Sequence, residues 1–230
     1  MDLCLCNSDD AAALWAWREL ARRGRTIELI TADALAFALR WEHRLIAGAT
    51  DTVITLADGR SVRAAETSAV LNRLRTLPSM HLRAGNGDRE YAATEMHALF
   101  ASWLAALPGP VLNRATPAGL SGSNWRSQAE WVNLAARSGM PVETHVESDI
   151  DGELFAPDAA PTLLVIGDEV LGQSSPPTRA AALRLARGAG LGIAGIALDA
   201  ERGTFRAATP FPDLRLGGAA AIDALEEALR

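Results

Sequence analysis

A chain of 230 residues with a net charge of −6 is long enough to bury a substantial core, and too acidic to offer the concentrated positive surface that nucleic acid requires. With 49% hydrophobic and 22% charged residues and no long unbroken apolar run, the composition fits a globular chain that does not span a membrane. All 22 basic side chains are arginine, and the absence of lysine excludes Schiff-base chemistry, a lysine nucleophile and a lysine grip on nucleotide phosphates.

The opening Met1-Asp2-Leu3-Cys4 lacks the basic flank, apolar stretch and small-residue cleavage site of a secretory signal, so a cytoplasmic location is expected. Leu3 to Cys6 reads as a strand, and Cys4 and Cys6, two apart, face one side of it and are badly placed to bridge. The capping-type residues Asn7-Ser8-Asp9-Asp10 then introduce a helix from Ala11 to Arg23. Gly24 stops that helix and Thr26 to Thr31 supplies a second strand, which makes the opening a βαβ unit with a parallel sheet. A short helix to Arg40 and an irregular stretch to Gly48 follow, with no role assigned to Trp41 or His43. Thr52 to Leu56 and Ser61 to Arg63 flank Asp58-Gly59, a hairpin signal that predicts an antiparallel ribbon on the sheet.

Val70-Leu71-Asn72-Arg73 is answered by Val111-Leu112-Asn113-Arg114. Each copy reads as a short buried strand ending in a polar pair, and carboxyl ends of parallel strands are where ligands sit. Between them lies a long helix whose Met96, Leu99, Phe100, Trp103, Leu104 and Leu107 follow the 3.6-residue period, stopped by Pro108-Gly109-Pro110. The loop Ala115 to Asn124 is rich in glycine and small polar residues and leads to a helix carrying Trp125, Arg126, Trp131 and Leu134, whose start could hold an anion. Val142 to Val146 reads as a strand, and the acidic, proline-bearing stretch 147–161 as a linker between a domain at 1–147 and a smaller one at 162–230. In the second part, Thr162 to Ile166 with Glu169 to Leu171 forms a hairpin. A helix from Pro177 to Arg187, strands at Gly192 to Asp199 and Thr204 to Ala208, and a closing helix from Gly218 to Leu229 complete it.

These residues resemble the ATP-grasp superfamily, in particular the ligases that modify ribosomal proteins or macrocyclise graspetide precursors. Asn72-Arg73, the helix with Tyr91, Glu95 and Trp103, the phrase Val111 to Pro117 and the Trp131 to Pro141 segment resemble the pre-ATP-grasp amino-terminal domain. The fold expected is therefore α/β, a mainly parallel pre-ATP-grasp-like domain followed by a small α+β remnant of the ATP-grasp carboxyl-terminal part. Where the family reads Gly-Ile-Asp-Leu and Glu-x-Asn-Pro, this chain reads Gly195-Ile196-Ala197-Leu198 and Ala207-Ala208-Thr209-Pro210. In that family those carboxylates and the asparagine hold the magnesium that bridges ATP phosphates, work for oxygen ligands that alanine cannot do. Only 147–161 separates the two recognisable parts, which leaves no room for the subdomain with the phosphate-binding lysine.

The resemblance thus implies a non-catalytic binding or accessory protein whose partner is a peptide, a protein or a small carboxylate, with homo- or hetero-oligomers open. No catalytic residue, metal ligand or cofactor is assigned. Asn72, Arg73, Arg75, Asn113, Arg114, Ser121, Asn124 and Arg126 are the expected ligand-binding residues, since arginine forks suit carboxylates. The alternative is a minimal or complex-dependent ATP-dependent carboxylate–amine ligase, with Asp168, Glu169 or Asp199 on magnesium. His43, His81, His97 and His145 fall on separate predicted elements without metal-ligand spacing, and no nucleophile elbow or dinucleotide loop follows a strand.

Overall fold

The computed structural model describes residues 1–47, 49–78, 86–116, 119–122, 126–143, 160 and 162–230. The βαβ opening forms as β1 (Asp2–Cys6), α1 (Ala11–Arg22) and β2 (Ile27–Thr31), followed by a five-residue helix α2 (Ala32–Ala36). Asp10 caps α1, its carboxylate accepting from Ala13 N at 3.0 Å. The phrase and its echo become β6 (Val70–Arg73) and β7 (Val111–Leu112), joined by α3 (Asn86–Ala106) once β3 (Arg40–Ile46), β4 (Ala49–Thr55) and β5 (Ser61–Arg63) have intervened. The first sheet is wholly parallel, in the order β2-β1-β6-β7. The two copies lie side by side and in register, Val70 against Val111 and Leu71 against Leu112.

Period-two alternation sorts the sheet's two faces. Cys4, Cys6 and Leu71 pack with α1 on one side, while Leu3, Leu5 and Val70 pack with Phe100, Trp103 and Leu104 of α3 on the other. Each such Leu, Val or Phe contributes about 1.5–3 kcal/mol when removed from water. Both thiols are free and fully buried. Their mutual hydrogen bond and burial push the Cys4 thiol well above its ordinary value.

The structure differs from the sequence expectation at three places. The irregular stretch after Arg40 is strand β3, because Trp41 turns inward onto Phe100 and Trp103, with ring centroids 4.5 and 5.4 Å away. His43 beside it joins Thr52 Oγ1 at 2.7 Å to Ser102 Oγ at 2.9 Å. The Asp-Gly hairpin does not extend the parallel sheet. It belongs with β3 to a separate antiparallel sheet, β3-β4-β5, whose Ile54, Leu56 and Val62 cover the α3 side of the core. Third, Arg126 precedes its helix: α4 is Gln128–Arg137, because Ser127 and Glu130 form a capping box that sets the start.

The second part holds β8 (Leu163–Ile166), β9 (Glu169–Leu171), α5 (Pro176–Gly188), β10 (Ile193–Leu198), β11 (Phe205–Thr209) and α6 (Gly218–Ala228). Its sheet is antiparallel in the order β11-β10-β8-β9, with α4 and α5 on one face and α6 on the other. Of the strand expected at Val142 to Val146, Val142 makes a bridge to Phe205, while 144–146 lie outside the described residues, as do 147–159 and 161 of the expected linker. One hydrophobic cluster contains Cys4, Ala13 and Leu112 from the first part together with Leu164, Ile193 and Leu225 from the second, so the described parts share a core. Gly192 sits where they touch. A Cβ there would come 2.9 Å from Leu112 Cδ2 and 3.3 Å from Leu112 Cα.

Candidate functional site

Helix α1 leads from β1 outward to β2 over one face of the parallel sheet and α3 leads from β6 outward to β7 over the other, so the winding of the strand order reverses between β1 and β6. In open α/β sheets the crevice at such a switch point, outside the carboxyl ends of the strands, is where ligands bind. Here those ends are Cys6 and Arg73, register partners. Asn7 stitches the two loops that leave them, accepting from Arg75 N at 2.8 Å and donating to Thr76 O at 2.9 Å.

Arg73 turns down beneath this surface. Its Nε and Nη2 donate to the Asp10 carboxylate at 2.9 and 3.2 Å, and both side chains are at least 95% buried. Nη1 has no hydrogen-bond partner among the described residues. Arg75, two residues on, is 38% exposed and pairs with the exposed Asp9 at 2.9 Å. The Phe211 ring lies beside both guanidinium groups, 5.8 Å from one and 6.0 Å from the other. Next to Arg75 a cavity of about 340 Å³ opens between the loop Thr76 to Pro78 and the α3 residues Ala93, Met96 and His97. Apolar walls with an arginine and a histidine at the rim suit an acidic side chain on an aliphatic stem.

Of the other expected ligand-binding residues, Asn72, Asn113 and Ser121 are buried, and Arg114 and Arg126 hold backbone carbonyls. Asn72 is fully buried; its Nδ2 donates to Asn113 O at 2.9 Å and Leu120 O at 2.7 Å, and its Oδ1 accepts from Leu74 N at 3.2 Å. Asn113, 1% exposed, accepts from Ile193 N at 2.8 Å and donates to Ile193 O and Pro210 O at 3.0 Å each. Its amide therefore pairs with the backbone at the start of β10 and joins the two sheets. Ser121 Oγ donates to Asn72 O at 2.7 Å. Arg114 caps the carboxyl end of α3, reaching the carbonyls of Ala105, Leu107 and Gly109 at 3.0 Å each. Arg126 stacks 5.6 Å over Trp131 and contacts Ala189 O. Asn124 lies outside the described residues. Arg73 and Arg75 are thus brought together, whereas Asn113, Arg114 and Arg126 each hold a different backbone segment.

In the sequence Asn7, Asp9 and Asp10 carry only a helix-capping signal, and Phe211 carries none. The capping pattern was the available signal for Asp10, and nothing local to Phe211 announces that it reaches β6.

On the second sheet, the positions at which the resemblance implies magnesium-holding carboxylates are Ala197 on β10 and Ala207 on β11. They stand directly opposite one another across the antiparallel pair, which sets their Cβ atoms about 5 Å apart. Both are buried, and Thr209 accepts from Phe211 N at 3.1 Å. Of the carboxylates that the ligase alternative puts on magnesium, Asp168 pairs with Arg187 at 2.8 Å in solvent, and Glu169 is exposed on β9. Asp199 accepts from Arg202 N, Arg206 and Glu201 N, which hold its carboxyl down to about 2. This carboxylate therefore steadies the β10–β11 turn above the ordinary carboxylate range, and that contribution is lost as pH falls toward 2. A titration followed at the Asp199 carboxyl carbon should give a midpoint near 2, and a midpoint near 4 would mean the turn is not closed around it. Among the described residues no three His, Cys, Asp or Glu side chains are grouped to hold a metal ion, and no helix is long and apolar enough to cross a membrane.

No protein-family model and no curated protein matches this sequence. Solved structures do match. Macrocyclase MdnC from Microcystis aeruginosa MRC, bound with precursor peptide MdnA, aligns with a TM-score of 0.71 at 13% identity over 100% of this chain and 99% of MdnC. The ATP-grasp ligase PsnB complexed with a minimal precursor gives 0.67 at 16% identity, over 99% of this chain and 98% of PsnB. A Chryseobacterium gregarium RiPP-associated ATP-grasp ligase in complex with ADP and a leader and core peptide gives 0.67 at 11%, over 100% and 96%. At these identities the likeness is one of fold alone: the chain has a fold like that of these peptide-modifying ligases.

Proposed function

We propose that this protein binds an acidic peptide or small carboxylate at the carboxyl end of its parallel sheet and does not itself catalyse ATP-dependent ligation. The observation that carries this reading is the pairing of Ala197 with Ala207, buried cross-strand neighbours where the resemblance implies carboxylates on magnesium. A methyl group offers a hard cation no oxygen. The complete absence of lysine agrees with it independently. MdnC, PsnB and the Chryseobacterium gregarium ligase were each solved with a peptide, which supports a peptide as the ligand class, and the Arg75 cavity supplies the matching charge.

A ligand that binds only the folded state raises stability by about 2.7 kcal/mol at a hundredfold excess over its dissociation constant, a shift of several degrees in a chain of this size. Millimolar ATP with magnesium should therefore leave the melting temperature where magnesium alone puts it, while a glutamate-rich peptide should raise it. Arg75→Ala should remove the peptide shift and leave the unliganded melting temperature nearly unchanged. A magnesium-dependent shift with ATP would overturn the non-catalytic reading and favour the minimal ligase. An undiminished peptide shift in Arg75→Ala would move the binding site elsewhere.

A further inference from the structure

The side of α1 turned away from the parallel sheet carries a groove of about 380 Å³. Its floor is Ala11, Leu14 and Trp15, and Arg18 and Arg22, one and two turns further along the helix, stand at its rim. The facing wall is Arg215, on the 3-10 turn Leu214–Gly217, whose buried Leu214 shares a core cluster with Ala12 and Ala13 of α1. Three arginines and a single carboxylate, Glu19, line the groove, so its sign is opposite to the net charge of −6 of the chain. Arg22 pairs with Glu19 at 2.9 Å and Arg215 with Asp213 at 2.7 Å. Arg18 is exposed and has no ion pair among the described residues. Carboxylates complement such a rim, and an apolar side chain suits a floor of leucine and tryptophan.

The groove begins where the crevice at the end of the parallel sheet stops. Asp9, the partner of Arg75, lies two residues before Ala11, about 7 Å along the chain. On the facing side Phe211 lies beside Arg73 and Arg75, and four residues later Arg215 stands close enough to Asp10 to feel its charge. The loop before α1 and the segment after β11 therefore border both the crevice and the groove. From Ala11 to Arg22 the helix advances roughly 16 Å at ~1.5 Å per residue. A ligand that reaches Arg22 from Arg75 thus needs about seven extended residues at ~3.3 Å each.

Resting on the acidic-ligand reading of the Arg75 cavity, we propose that its ligand is a peptide that continues along α1, with carboxylates on Arg215, Arg18 and Arg22 and an apolar side chain against Trp15. The test is titration calorimetry of the full chain, as wild type, Arg75→Ala and Arg18→Glu, with two blocked peptides: the tripeptide Glu-Leu-Glu, which fills the cavity alone, and a nonapeptide of three such repeats. The nonapeptide should bind the wild type about tenfold tighter or more, well beyond the statistical gain of repeating the unit. In Arg18→Glu that advantage should shrink about threefold to tenfold, because an attractive contact at an exposed site becomes repulsive. The melting temperature of this variant should stay near that of the wild type, since Arg18 is exposed and unpaired. Equal affinity for the two peptides, or an undiminished advantage in Arg18→Glu, would overturn the path along α1 and leave the Arg75 cavity as the site. No binding of either peptide, or tripeptide binding untouched by Arg75→Ala, would overturn the cavity reading and the path together.

Discussion

Asp10→Ala should cost about 4 kcal/mol of folding stability, measured as a lower urea midpoint at unchanged slope. The reason is double duty. One carboxylate caps α1 through Ala13 N and receives both the Nε and Nη2 of Arg73, at a place where the two side chains are 5% and 3% exposed. Losing an N-cap acceptor costs about 1 kcal/mol. Leaving a buried guanidinium without its counter-charge costs about 3–5 kcal/mol, far more than a surface ion pair contributes. The two losses share one group and do not simply add. A loss of that size is a large fraction of the roughly 5–15 kcal/mol that holds a domain together. Asp10→Asn keeps the cap and should show the charge loss alone. Pairing it with Arg73→Met removes the stranded charge and should recover most of the deficit. If the double variant is no better than Asp10→Asn, Arg73 owes its position to something other than this carboxylate.

The same pair shows what the sequence could and could not convey. Asp10 is recognisable as a cap because Asn-Ser-Asp-Asp precedes an apolar-periodic run, and caps are local. That it also neutralises Arg73 depends on β6 lying beside β1, a pairing between segments far apart in the chain. The Val-Leu-Asn-Arg repeat likewise announces two buried strands with polar ends, and they form as adjacent parallel strands in register. What the asparagines do is decided by the backbone of Leu120, Ile193 and Pro210, which no nearby residue foretells. Strand β3 was illegible for a related reason. Its inward residues include a histidine, satisfied only by Thr52 and Ser102, so the strand lacks the apolar alternation of a half-buried element. Ser127 and Glu130 have capping-box spacing, a local signal for the start of α4, yet the expectation places Arg126 on that helix, one residue ahead of the cap.

Asn113→Asp should be the most damaging substitution in the repeat, worse than Asn113→Ala, because the present amide is used in both senses. Its oxygen accepts from Ile193 N, and its nitrogen donates to Ile193 O and Pro210 O. Removing the side chain forfeits three hydrogen bonds and strands buried backbone groups, about 3 kcal/mol or more. It also leaves alanine at a φ of 58°, a left-handed conformation that asparagine tolerates better than other side chains. Asn113→Gly relieves that backbone cost without restoring any bond, so the order of stability should be wild type, Gly, Ala, Asp. A carboxylate at this position would face two carbonyl oxygens with no proton to offer, and would raise its own pKa to avoid the charge. The sign follows from that shift. An acid whose folded value lies above its unfolded value near ~4 is least harmful below pH 4, and its penalty grows as pH rises through the folded value. Urea unfolding of the four proteins at acidic and neutral pH reads all of this at once. Because the amide joins β7 to β10, the two sheets should separate earlier in the weakest variants, with hydrogen exchange at Ile193 accelerating before exchange at Leu71. Equal stability across the series would mean that the shared apolar core alone holds the two sheets together.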